Sequence, residues 1–192
     1  MSYDFNDAES NSNTGDLIPK GTIAPVILTI RAGSSGEGGW LTQSKNSPYQ
    51  YLDCEFTITG GPFARRKFWT LMMAGHSTPN EEKVAKTLGI TRSKLRGILE
   101  SARAIDPNDM SEAAKAKRIV QGYGDFSGME FVAKIGLEAG RDGYADKNVF
   151  DNAVPVTSPE YAKAKSGAVS APAAPAYVPP AANGAAMPAW AQ

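Results

Sequence analysis

The chain has 192 residues, 42% of them hydrophobic and 21% charged, with 20 Lys+Arg against 20 Asp+Glu. It is long enough for one domain with a core, and it carries no net field that advertises a nucleic-acid or membrane partner. A single cysteine, Cys54, and a single histidine, His76, exclude an internal disulfide framework, a cysteine-based zinc site and a multi-histidine metal cluster. No run approaches about 18 apolar residues, and the amino terminus is acidic where a secretory signal would be basic and then apolar. These features predict a soluble, cytoplasmic protein.

Residues 1–19 hold Asp4, Asp7, Glu9 and Asp16 around an Asn/Ser/Thr/Gly stretch and read as a flexible acidic arm. Thr22 to Arg31 places Val26, Leu28 and Ile30 on one face and predicts the first strand, with Pro25 pointing to an edge or strand-start position. A glycine-rich loop, Ala32 to Gly39, then leads to Trp40. Tyr49 to Thr59 alternates cleanly, with Leu52, Cys54, Phe56 and Ile58 on one side and Tyr51, Asp53, Glu55 and Thr57 on the other. Gly60-Gly61-Pro62 turns the chain into Ala64 to Met73, so strands two and three form a hairpin.

Thr78-Pro79-Asn80-Glu81-Glu82 has the cap, proline and acids of a helix start. Val84, Leu88, Leu95, Ile98, Leu99 and Ala102 follow at helical spacing and predict two short helices parted near Gly89. A weaker helix spans Ser111 to Val120, capped by Ser111 or Asp109. Period two returns in Met129 to Leu137, and Tyr144 to Val156 pairs back as the last strand after the turn at Gly140 to Gly143. Residues 166–192 contain eleven Ala, five Pro and no charge, the composition of a disordered tail, which leaves 20–165 as the folded unit. Three strands, a helical insertion and two strands predict a mainly β fold, a five-stranded oligonucleotide/oligosaccharide-binding-like barrel with helices between strands three and four.

Charge is distributed unevenly although it sums to zero. Residues 60–103 hold nine basic residues against three acids, a local excess of six. Aromatic side chains interleave with this material. Tyr51 lies on the outward face of strand two, and Phe68-Trp69 follows Arg65-Arg66-Lys67. A groove for single-stranded nucleic acid needs cations to track phosphates and flat side chains on which bases stack. Adjacent strand residues point to opposite sides, so at most one of Phe68 and Trp69 meets a ligand. The GSSGEGG loop lacks the Lys-Ser/Thr of a P-loop, His76 has no spaced partner for catalysis, and Cys54 reads as a small buried hydrophobe. A competing motif is Lys83 to Glu100, where Ala85, Gly89 and Leu95 have helix-turn-helix spacing and Arg92, Lys94 and Arg96 would face duplex DNA.

The opening Tyr3-Asp4-Phe5-Asn6, the Ile18 to Thr22 lead into strand one, the Gly60 to Phe68 turn and basic strand, and Asp142 to Val149 resemble small phage-encoded proteins. That family was first catalogued as a domain of unknown function and is regarded as single-stranded-DNA-binding. The resemblance spans about residues 3 to 157 in short motifs. It implies a cytoplasmic accessory of replication, recombination or repair that coats single strands, is not an enzyme and needs no cofactor or metal. The expected partners are single-stranded DNA, replication or recombination proteins and further copies of the chain, with no membrane. The matching positions are Arg65, Arg66, Lys67, Tyr144, Lys147 and Asn148, while Trp40 comes from the residues alone. The resulting expectation is sequence-tolerant single-strand binding in which Arg65, Arg66, Lys67, Lys134 and Lys147 neutralise phosphates and Trp40, Tyr51, Trp69 and Tyr144 stack. With about four phosphates neutralised, log K would fall with log salt at a slope near −3. The alternatives are the duplex-binding helix-turn-helix regulator and a structural or partner-binding phage protein.

Overall fold

Alternating apolar residues build five long or medium strands, β1 (Ile23–Arg31), β3 (Tyr49–Ile58), β4 (Lys67–His76), β5 (Glu130–Glu138) and β6 (Lys147–Ala153), together with a two-residue strand, β2 (Thr42–Gln43). A computed structural model describes residues 16–76, 82–141 and 143–166. The arm up to residue 15, the helix-start signal at 78–81, and the tail beyond Ser166 lie outside the described residues. The helices are α1 (Glu82–Ala102), α2 (Glu112–Lys117) and α3 (Pro159–Lys165). Residues 16–19, assigned to the arm by composition, belong to the fold, because Ile18 is buried.

All strand pairs are antiparallel, in the order β2-β3-β1-β5-β6 with β4 on β3. On one edge of β3, β1 covers Asp53 to Ile58 and β2 covers Gln50 and Tyr51, while β4 takes the other edge. The hairpin is thus formed by β3 and β4. Its second strand starts at Lys67 rather than Ala64, because residues 61–65 turn, with Gly61 at φ 78° and Arg65 at φ 70°. Pro25 sits in a central strand, not an edge. It is accommodated near the start of β1, one residue before the first β1–β3 register pair, Val26 with Ile58, so its missing N–H breaks no bond inside that ladder while its C=O accepts from Thr59 N–H at 2.9 Å.

The expected closed barrel is not formed. The fold is a mixed α and β arrangement built on an open six-stranded sheet. Four successive antiparallel pairings leave β4 and β6 pointing the same way, and no ladder joins them among the described residues. Side chains take the place of that ladder. Phe150 N–H donates to Thr70 Oγ1 at 2.8 Å. Asn148 accepts from Ile18 N–H at 2.9 Å and donates to Ile18 C=O at 2.8 Å, and the Arg66 guanidinium donates to Asp16 C=O. The chain before β1 is therefore held from both sides, by β6 and by the turn leading into β4. Each of these backbone groups finds a partner without barrel closure, which answers the cost of leaving them unpaired.

The core lies on the inner face of the sheet. Phe56 stacks between Phe68 and Phe150, each with ring centroids 5.0 Å away, and Phe131 meets both Phe56 and Phe150 edge-on. Helix α1 covers this side with Val84, Thr91, Leu95 and Ile98, a stripe at helical spacing. It runs unbroken through Gly89, so the two expected short helices are one. Helix α2 is capped by Ser111, whose Oγ accepts from Ala114 N–H. Helix α3 was missed although Ser158-Pro159-Glu160 carries its start signal. It buries Ala164 with Ile23, Val132 and Val154 on the outer side of β1 and β5, and Tyr161 OH donates to Ser101 C=O at 2.9 Å.

Candidate functional site

Period two on β4 buries Phe68 and Met72 and turns Lys67, Trp69 and Leu71 outward, so Trp69 is the ring of the Phe68-Trp69 pair that meets solvent. Trp69 is 45% and Leu71 62% exposed. The register sets Lys67 opposite Thr57, Trp69 opposite Glu55, Leu71 opposite Asp53 and Met73 opposite Tyr51. On the other side of β3, Arg31 stands opposite Asp53 and Thr29 opposite Glu55. The outward face of β1, β3 and β4 is therefore one continuous surface.

Glu55 organises it. Its carboxylate accepts from Lys67 Nζ at 2.6 Å, Arg31 Nη2 at 3.1 Å and the Trp69 indole N–H at 3.1 Å. The bonds from Lys67 and Arg31, ahead of that from Trp69, hold its carboxyl below the usual glutamate range. The Arg31 guanidinium lies 5.8 Å from the Trp69 ring centroid, within reach of a cation–π contact. An exposed indole is thus held by its own N–H and flanked by two cations.

At one end this face runs into a groove of about 420 Å³ between β4 and α1. Tyr49, Tyr51 and Leu71 line one side and Lys83, Ile90 and Lys94 the other. The two tyrosines meet edge-on at 6.2 Å, and Tyr49 also meets His76 edge-on at 4.8 Å. Lys94 is anchored inward, donating to Phe150 C=O at 3.2 Å and lying 5.5 Å from that ring.

Of the sequence-derived site residues, Tyr51, Lys67 and Trp69 share this surface, with Arg65 and Arg66 in the turn before Lys67. Arg65 is exposed, whereas Arg66 is drawn to Asp16 and lies 5.7 Å from the Phe63 ring. The others do not join them. Lys134 on β5 pairs with Asp151 at 3.8 Å, and Lys147 on β6 pairs with Glu138 at 3.4 Å. Tyr144, 83% exposed, lies in the β5–β6 connection rather than in a strand. Trp40 is half-buried against the core beside Gly124. Arg31 and Glu55 were missed as site residues, although the alternation of both strands already placed them outward.

The helix-turn-helix alternative loses its turn, since Gly89 lies inside continuous α1. Two of its three reading residues are engaged elsewhere, Lys94 with Phe150 and Arg96 with Glu100 at 2.7 Å. The Cys54 thiol is fully buried and pushed up to about 12, first by burial and then by Asp53, so it is no nucleophile near neutrality. Among the described residues, no helix is long and apolar enough to cross a membrane. No protein-family model matches the chain, and no curated protein matches it.

Proposed function

We propose that the protein binds single-stranded DNA across the outward face of β3 and β4, without performing chemistry on the strand. The observation that carries this reading is Trp69, exposed yet held by Glu55, between Lys67 and Leu71 in one row and with Arg31 beside its ring. A flat ring already ordered in the free protein loses little freedom when a base stacks on it, and such stacking is worth roughly 1–3 kcal/mol per base. Tyr51 and Tyr49 extend the aromatic surface towards the groove beneath α1. The open sheet offers no barrel, so this surface is the structural support for the reading.

The resemblance to phage single-stranded-DNA-binding proteins points the same way and extends the proposal to a replication, recombination or repair accessory in the host cytoplasm. The phosphate contacts differ from those expected. Lys134 and Lys147 lie on β5 and β6, across β1 from β3 and β4, which leaves Lys67, Arg31 and Arg65 at or beside the face. Two or three such contacts give a salt slope between about −1.4 and −2.1, at roughly −0.7 each. The test is anisotropy of a labelled mixed-sequence single strand and of its duplex at several salt concentrations. A single-strand preference with a slope in that range supports the reading. Equal or tighter binding of duplex overturns the single-strand reading in favour of duplex binding, and no binding of either overturns it and leaves a structural or partner-binding protein.

A further inference from the structure

A second cleft, of about 820 Å³, opens between α1, the Glu37–Gly39 turn and the segment that follows α2. Its size falls in the range that encloses a small organic ligand, roughly 300–1,000 Å³. Helix α1 presents Arg92, Leu95, Arg96 and Leu99 to it at i, i+3, i+4 and i+7, so one helical face supplies both an apolar floor and a cationic rim. Phe126 completes the floor. Trp40 and Tyr123 add an aromatic wall, and Arg118, from the segment after α2, joins Arg96 at the rim on the same Glu100 oxygen.

The rim is built rather than loose. Glu100 is buried on α1, and its Oε1 accepts from Arg96 Nε at 2.7 Å and from Arg118 Nε at 2.8 Å. Arg118 also donates to Asp109 C=O at 2.7 Å and Asp106 C=O at 2.9 Å, and Arg96 to Pro107 C=O at 3.2 Å. Planar guanidiniums fixed by such bonds present their remaining N–H groups in set directions. Arg92 is exposed and has no hydrogen-bond or ion-pair partner among the described residues. Arg92, Arg96 and Arg118 line the cleft with Glu37 as its one acidic lining residue, and with the buried Glu100 behind Arg96 and Arg118 counted the site still carries a net positive charge.

The wall is equally specified. A Cβ added to Gly124 would lie 2.5 Å from Trp40 Cζ2, and one added to Gly38 would lie 3.0 Å from Trp40 Cδ1. Gly124 must lack a side chain for the indole to sit where it does, and a side chain at Gly38, which has φ 70°, would be strained and would press the ring aside by a few tenths of an ångström. Gly38 from the glycine-rich loop and Gly124 from the segment after α2 therefore seat Trp40 between them. An aromatic wall over an apolar floor with guanidiniums at one rim matches a planar ring joined to an anionic group.

We propose that this cleft is a second binding site, which takes a nucleobase with its 5′-phosphate, the base on Trp40 and Tyr123 and the phosphate at Arg92 and Arg96. The site is separate from the β3–β4 face and does not depend on it. The same chemistry is offered by a free mononucleotide and by the 5′-phosphorylated end of a strand.

The experiment is calorimetric titration of the full chain carrying Trp69→Ala, which disables the sheet face, with dAMP, deoxyadenosine, inorganic phosphate, and a short oligonucleotide with or without a 5′-phosphate. We expect dAMP to bind about tenfold more tightly than deoxyadenosine or phosphate, and Arg92→Ala to weaken it by about tenfold with an unchanged circular dichroism spectrum. Gly124→Ala, which displaces Trp40, weakens dAMP but not inorganic phosphate. A 5′-phosphorylated oligonucleotide binding more tightly than dAMP assigns the site to strand ends, and the reverse order assigns it to free nucleotides. Absence of saturable dAMP binding, equal binding of phosphate alone, or indifference to Arg92→Ala overturns the proposal. Single-strand binding by the Trp69-containing chain is unaffected by any of these failures.

Discussion

Trp69 donates its indole N–H to Glu55 at 3.1 Å, so the exposed ring of the sheet face is held by the carboxylate that also takes up Lys67 and Arg31. One half-buried acid on β3 thereby orders an aromatic platform and sets the positions of two cations. The surface is close to neutral, and its use for a polyanion depends on a strand competing for Lys67 and Arg31.

If Trp69 carries stacking, Trp69→Ala weakens single-strand binding by about 5- to 150-fold, the equivalent of roughly 1–3 kcal/mol, while Trp69→Phe retains most of the affinity. Both variants keep a urea midpoint near that of the parent, because the ring is half exposed. Anisotropy with a labelled strand reads the first and chemical denaturation the second. An unchanged affinity for Trp69→Ala would move the site away from β4.

The lowered Glu55 carboxyl makes a specific pH signature. Its folded pKa lies below the unfolded value of about 4.3, so its stabilisation is complete above that value and is lost as pH falls through the folded one. Glu55→Gln should therefore be less stable than the parent by a constant margin above about pH 5, with the margin closing in more acidic solution. Urea midpoints measured across pH check this, and a margin independent of pH would show that the ion pairs add nothing.

Asn148 makes to Ile18 the two bonds that a neighbouring strand would make. Asn148→Ala leaves a buried N–H and C=O at Ile18 without those partners, at about 1–3 kcal/mol each at most. The expected result is a clear fall in thermal midpoint with no change in α1 helicity. A loss within error would mean that the chain before β1 is not docked as described.

Gly89 separates the continuous helix from the helix-turn-helix. A Cβ there meets nothing within 4 Å, and the position is exposed inside α1. Gly89→Ala should stabilise the protein by about 0.5–1 kcal/mol through helix propensity. A turn at this position would make the same substitution destabilising.

Much of this was legible locally. Alternation in β3 placed Leu52, Cys54, Phe56 and Ile58 in the core, and the same period on β4 decided that only one of Phe68 and Trp69 could meet a ligand. The site was only partly legible. Lys134, Tyr144 and Lys147 have the right chemistry, but they lie on β5, in the β5–β6 connection and on β6, away from β3 and β4, and a local period does not report the order of strands in the sheet. Gly89 misled because glycine is common in turns, whereas the packing of Val84, Thr91, Leu95 and Ile98 on the sheet outweighs its small helix penalty.

The sequence by itself determined the five main strands, the hairpin and that Phe68 and Trp69 lie on opposite faces, because side-chain direction in a strand follows from covalent geometry and a period of two, whereas the structure decided that Lys67, Trp69 and Leu71 form the outward row. Only the tertiary structure decided whether the sheet closes, since that turns on β4 and β6, which are far apart in the chain and meet through Thr70 and Phe150 instead of a ladder. It also decided that Arg92, Arg96 and Arg118 share a cleft with Trp40. Those residues come from three distant segments, and long-range packing alone brings them together.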